Sequence, residues 1–173
     1  MDQDQQKAHQ KLQMAMALID DARDAQHGGD LERAIKLYED SLEILPTAEG
    51  YTYLAWALSM EGQLDEAIGY CHRAIEIDPE FGNPYNDIGV YLMLRDQLSD
   101  AIPWLERAKV AARYEPKHYP YMNLGKIYAA RGELKRAIIE FRGAVANLPE
   151  GDDARRKVWD LEHAIDHLER KLN

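Results

Sequence analysis

The sequence predicts an all-α fold, a solenoid of four helix-turn-helix units closed by a C-terminal capping helix. Three observations predict it. A seven-residue phrase, Gly62-Gln63-Leu64-Asp65-Glu66-Ala67-Ile68, returns as Gly29-Asp30-Leu31-Glu32-Arg33-Ala34-Ile35, as Asp96-Gln97-Leu98-Ser99-Asp100-Ala101-Ile102 and as Gly132-Glu133-Leu134-Lys135-Arg136-Ala137-Ile138. Its alanines, Ala34, Ala67, Ala101 and Ala137, lie 33, 34 and 36 residues apart. A fixed period of about 34 residues marks stacked copies of one supersecondary unit, each too small to bury its own apolar face. Finally, apolar residues recur at helical spacing on both sides of the phrase.

Residues 1–11 are polar and Gln-rich, either frayed or a polar extension of the first helix, which runs to about Gln26 and stops at His27-Gly28-Gly29. Helices then follow over 31–44, 48–61, 64–77, 84–95, 98–113, 118–131 and 134–147, with the short links of an αα-array. The second copy shows the logic. Tyr51, Leu54, Ala55 and Leu58 make one stripe, Gly62 ends that helix, and Leu64, Ala67, Ile68, Cys71, Ala74 and Ile75 make the next stripe before Asp78-Pro79 closes it. Ala55 and Ala67 stand where the two helices approach most closely. Pro84 is acceptable at a helix start, whereas Pro103 falls within the first turns of its helix and is expected to bend it. Two extra residues around Tyr114-Glu115-Pro116-Lys117 either lengthen the preceding helix or widen a loop. Residues 152–172 differ from the copies. Ala154, Val158, Leu161, Ile165, Leu168 and Leu172 form a single apolar stripe suited to covering the last unit.

The pattern resembles the tetratricopeptide repeat family. The fourth copy matches in full, with Tyr121, Leu124, Gly125, Tyr128, Ala137, Phe141, Ala144 and Pro149. The third has Tyr85, Ile88, Gly89, Leu92, Ala101, Leu105 and Ala108, with Pro116 arriving late. The first has Leu18, Asp21, Ala22, Ala25, Ala34, Tyr38, Ser41 and Pro46, departing from the pattern at Asp21 and Ser41. The resemblance implies a right-handed superhelix of four repeats, about 15–47, 48–81, 82–117 and 118–151, in a domain over 1–151, with a capping helix over 152–173.

Formal net charge is −10, which excludes a general nucleic-acid or anionic-membrane surface unless a basic patch is segregated. Residues 1–81 carry 6 Lys/Arg against 17 Asp/Glu, and residues 82–173 carry 15 against 14. The amino-terminal half is therefore an acidic pole, either an ordinary solvated surface or a surface that steers a partner's basic segment. A lone Cys71 at a core position forbids an internal disulfide and reads as a small buried hydrophobe. The opening Met1-Asp2-Gln3-Asp4 leads into no apolar run, so a cytoplasmic protein without a signal or membrane span is expected.

Catalytic patterns are absent: there is no phosphate-cradling glycine motif, nucleophile elbow or cysteine cluster. His163 and His167, four apart, make two ligands of an incomplete metal site. No enzyme, metal or cofactor is expected. The resemblance instead implies that the first helix of each repeat lines a concave groove. Carried onto this chain, the groove positions are Thr52, Tyr53, Trp56 and Met60; Asn83, Asn86, Asp87, Val90, Met93 and Leu94; and Tyr119, Met122, Asn123, Lys126 and Ala129. The first repeat adds Met16, Ile19, Asp20, Arg23 and His27. Tyr53, Trp56, Met60, Met93 and Met122 read as apolar anchors, and Asn86, Asn123 and Lys126 as groups that orient an extended peptide. A family variant grips the carboxylate of chaperone tails through Lys, Arg and Asn slots. Here those slots hold Ile19, Arg23, Tyr53, Asn83 and Asp87 or, one repeat later, Thr52, Trp56, Asp87, Tyr119 and Asn123. Neither frame supplies the clamp. The expected function is a non-enzymatic scaffold or adaptor binding a peptide or helix of a partner. A self-assembly module and a chaperone similar to bacterial export chaperones are the alternatives. Trp159, off the apolar stripe among Arg155, Arg156, His163 and Asp166, is either a surface aromatic or a second contact for another chain.

Overall fold

Local capping chemistry starts most of the amino-terminal helices. The computed structural model describes residues 2–149 and 151–172, with the side chains of all of these except 152–155. Among the described residues the chain forms α1 (Gln3–His27), α2 (Leu31–Ile44), α3 (Ala48–Met60), α4 (Leu64–Ile77), α5 (Asn83–Leu94), α6 (Leu98–Val110), α7 (His118–Ala130), α8 (Leu134–Ala146) and α9 (Asp152–Leu172). Asp2 accepts from the Gln5 backbone N–H at 2.8 Å while the Gln5 side-chain oxygen accepts from the Asp2 N–H at 3.1 Å. This reciprocal cap makes the polar N-terminal segment helical rather than frayed. Thr47 caps α3 with its hydroxyl oxygen alone, which accepts from the Gly50 N–H at 3.0 Å. Gly29, Gly62 and Gly132 leave their helices with φ of 84°, 81° and 73°, and Asp96 fills the equivalent place in the third copy at 60°.

Successive helices pack as antiparallel neighbours, and α1, α3, α5 and α7 also touch one another in turn, so the odd-numbered helices share one face. The result is an all-α superhelix of stacked helix pairs. The four repeated alanines are fully buried, as are Ala55 and Cys71. Shape complementarity explains the small residues on the inner helices. A Cβ at Gly89 would lie 2.5 Å from Leu105, and one at Gly125 would lie 2.5 Å from Phe141. The second copy carries Ala55 and Cys71 at these two places and the first carries Ala22 and Tyr38, all four fully buried. Leu92 packs against both the amino-terminal and carboxy-terminal core clusters, which makes the apolar interior continuous.

Helix boundaries agree with the sequence expectation to within one residue, with one correction. The expected helix over 98–113 stops at Val110. Ala111 turns extended, and the chain folds back so that the Gly82 N–H donates to the Arg113 carbonyl and the Arg113 N–H donates to the Glu80 carbonyl, both at 2.9 Å. The two extra residues therefore widen a loop. Tyr114 drives this return: it is buried against Gly82, where a Cβ would meet the Tyr114 Cβ at 2.3 Å. The Glu115–Pro116 peptide bond is cis. Pro103 sits inside α6, which continues across it.

The terminal helix α9 packs on α8 and buries Leu161, Ile165 and Leu168. Its expected apolar stripe is shorter than the spacing suggested, because Leu172 is 44% exposed at the helix end where nothing remains to cover. Ala154 and Arg155 lie outside the described side chains.

Candidate functional site

On the shared face of the odd-numbered helices lies a cavity of about 500 Å³. Thr52, Tyr53 and Trp56 come from α3, Asn83, Asn86, Asp87 and Val90 from α5, and Tyr119, Met122, Asn123 and Lys126 from α7. The spacing within each set places its members on one side of its helix. Tyr114 and Pro116 complete the wall from the widened loop. Sequence reasoning missed these two, and the extra residues before α7 were the signal that pointed to them.

Two expected anchors lie elsewhere. Met60, 53% exposed, turns toward α1, where its sulfur accepts from Gln26 Nε2 at 3.2 Å. Met93 packs into the core shared with α7 and α8. Both sit at the carboxy-terminal ends of their helices, away from the loop that walls the cavity. Ile19 is likewise core, 1% exposed, and Leu94 points outward at 65%. From the first copy, Arg23 lies 5.5 Å over the Tyr53 ring and His27 stands edge-on to Trp56 at 6.3 Å, so α1 buttresses the α3 wall.

Polar groups on the floor form a directional chain. Asn123 Nδ2 donates to Asn86 Oδ1 at 3.1 Å, and Asn86 Nδ2 donates to Asp87 Oδ1 at 3.4 Å. Both asparagines are 8% exposed. Asn86 is thus engaged within the protein through its oxygen and one amide N–H. Desolvation pushes the Asp87 carboxyl up to about 7, only partly offset by the Asn86 hydrogen bond. Behind it the Tyr91 phenol and Cys71 thiol are pushed up by burial, with the Asp87 charge adding to both shifts. Cys71 is thus buried and inert rather than nucleophilic.

The terminal helix touches this region through Lys157, whose amine lies 5.3 Å over the Tyr119 ring and 3.5 Å from Nε2 of the fully buried His118. On its outer side Trp159 is 58% exposed and stacks on His163 with ring centroids 3.8 Å apart. His163 Nδ1–H donates to the Trp159 carbonyl at 2.9 Å, which ties that imidazole to its own helix. Among the described residues no three His, Cys, Asp or Glu side chains converge to hold a metal ion, and no helix is long and apolar enough to cross a membrane.

The family model described as Tetratricopeptide repeat matches residues 48–81, one full helix pair. Residues 48–81 are therefore a tetratricopeptide repeat. This repeat protein is 26% identical over 153 residues to the mitochondrial import receptor subunit TOM70 of Rattus norvegicus, covering 87% of this chain and 25% of the receptor. The human TOM70 subunit gives the same identity and coverage. The chain thus spans about a quarter of the length of the curated relatives it matches. Among solved structures, PilF of Pseudomonas aeruginosa superimposes with a TM-score of 0.77 at 19% identity, over 88% of this chain and 69% of that one. YrrB, described as a tetratricopeptide repeat protein with an unusual peptide-binding site, superimposes with a TM-score of 0.62 at 22% identity, over 89% of this chain and 86% of that one. At these identities the structural likeness concerns the fold alone.

Proposed function

We propose that this repeat protein is a non-enzymatic adaptor whose concave groove binds an extended peptide segment of a partner protein. The observation that carries the reading is the cavity where three successive inner helices and the 111–117 loop converge, walled by rings instead of being filled by them. Trp56 and Tyr119 keep 39% and 38% of their surface exposed, which is apolar area available for burial by a ligand. Burying what each ring still exposes contributes on the order of 2 kcal/mol, so the two rings supply part of the binding free energy. The tetratricopeptide repeat at residues 48–81 supports a protein partner, as do a curated relative that is an import receptor subunit and a structural neighbour with a peptide-binding site. The acidic amino-terminal half favours a partner segment with basic residues. Trp159 is kept as a second contact, outside the groove.

Selection of a random peptide library on the purified chain tests the reading. Retained peptides are expected to lose affinity for Trp56→Ala by about tenfold, while the variant's melting temperature stays near that of the wild type. Peptides held equally by both proteins, or a collapse of stability in Trp56→Ala, would overturn the groove assignment.

A further inference from the structure

The cavity floor carries one carboxylate and no cation to match it. Asp87 is partly buried, and among the described residues its hydrogen bonding is limited to the Asn86 amide at 3.4 Å, the outer limit of such a contact. No Lys or Arg among the described residues pairs with it, although ion pairs are frequent elsewhere on the chain. The groups that face it from the neighbouring elements are Cys71 of α4, Tyr91 of α5 and Tyr114 of the loop, all acids whose ionisation is held back by burial and by the Asp87 charge. Lys126 of α7 is the one cation lining the cavity, and it is solvent-exposed and makes no ion pair with Asp87. The walls above the carboxylate are aromatic, with Tyr53 and Trp56 on the α3 side and Tyr114 and Tyr119 opposite.

We propose that the cavity seats a lysine or arginine side chain of the bound segment, its charged head against the Asp87 carboxylate and its aliphatic stem between the α3 and loop–α7 rings. This rests on the peptide-groove reading and assigns its anchor. The chemistry is specific to a cation. An incoming ammonium or guanidinium replaces the solvation that the carboxylate has lost, whereas an apolar residue leaves that charge buried without compensation. Ring faces attract the same head and the aliphatic stem covers apolar surface. A cavity of about 500 Å³ accommodates a long side chain together with some of its backbone. The carboxyl's ordinary ionisation is displaced upward to about 7, as expected for a site short of positive charge, and a seated cation would return it toward the ordinary range. An acidic amino-terminal half adds long-range attraction for such a segment.

The test uses the same random peptide library at pH 8, selected in parallel on the wild-type chain, Asp87→Asn and Lys126→Ala. Wild-type peptides are expected to carry Lys or Arg at one fixed position, to lose about tenfold or more in affinity for Asp87→Asn, and to bind Lys126→Ala more tightly because a competing like charge is gone. Replacing the fixed basic residue of the best peptide by norleucine should cost the same factor on the wild type and little on Asp87→Asn. Peptides that depend on Trp56 but show no fixed basic residue, or that bind Asp87→Asn unchanged, would overturn this inference and leave the groove reading standing. Recovery of no Trp56-dependent peptide would overturn both.

Discussion

Asn123 Nδ2 donates to Asn86 Oδ1 at 3.1 Å, joining equivalent positions of two successive repeats across the groove floor. The pairing is directional. Asn86 receives on its oxygen and donates from its amide to Asp87, so the orientation of three side chains on α5 and α7 is set as a unit. It also engages within the protein the Asn123 amide and both ends of the Asn86 side chain.

Replacing Asn86 by Ala leaves the Asn123 amide without its acceptor and Asp87 without its donor. We expect a loss of about 1–2 kcal/mol in stability, read by urea denaturation. The Asp87 carboxyl should also titrate above its wild-type value near 7 in a carbon-detected NMR titration. A carboxyl that titrates unchanged would show that the hydrogen bond at 3.4 Å has no influence on it.

Asp87 itself should destabilise the free protein at neutral pH. Its folded-state value near 7 lies above the ordinary 3.8, so the folded state binds the extra proton and stability falls as pH rises from about 4 to about 7, then levels off. Asp87→Asn lacks this fall. Relative to wild type it should gain up to about 4 kcal/mol between pH 4 and pH 8, measured as a difference in unfolding free energy. A constant difference across that range would contradict the burial of the carboxyl.

The inner-helix glycines predict a compensation between volumes. Gly125→Ala places a methyl 2.5 Å from the Phe141 ring and should cost about 1–3 kcal/mol, despite the better helix propensity of Ala. Combining it with Phe141→Cys, the pairing found at Ala55 and Cys71, should recover part of that loss in a double-mutant cycle. Additive effects would mean that the ring does not set the limit.

Arg113 straps the widened loop to the repeats before it. Its guanidinium pairs with Glu49 at 2.7 Å and with Asp78, and it lies 4.3 Å over Phe81. Because the side chain is half exposed, Arg113→Ala should change global stability by less than about 1 kcal/mol. Hydrogen exchange should nevertheless accelerate over residues 111–117, and peptide binding should weaken, since Tyr114 and Pro116 wall the cavity. Unchanged exchange in that loop would assign its order to the burial of Tyr114 alone.

The sequence by itself determined the repeat, the all-α class and the ends of nearly every helix. Those features are written locally, in the repeated alanines, the turn glycines and the apolar spacing, and each is read from residues close in the chain. Only the resemblance to a repeat family placed Tyr53, Trp56, Asn83, Asn86, Asp87, Val90, Tyr119, Met122, Asn123 and Lys126 on a concave face, and in the structure these residues line one cavity. Tertiary structure alone decided what those residues do there. That Met60 turns to α1 and Met93 enters the core follows from how neighbouring helices cross. That Tyr114 joins the wall follows from a loop closing on Gly82, a contact between residues 32 positions apart that periodicity does not encode. The state of Asp87 is the furthest from the sequence: a carboxylate on an inner helix face looks like any other until packing removes its water and supplies no cation in return.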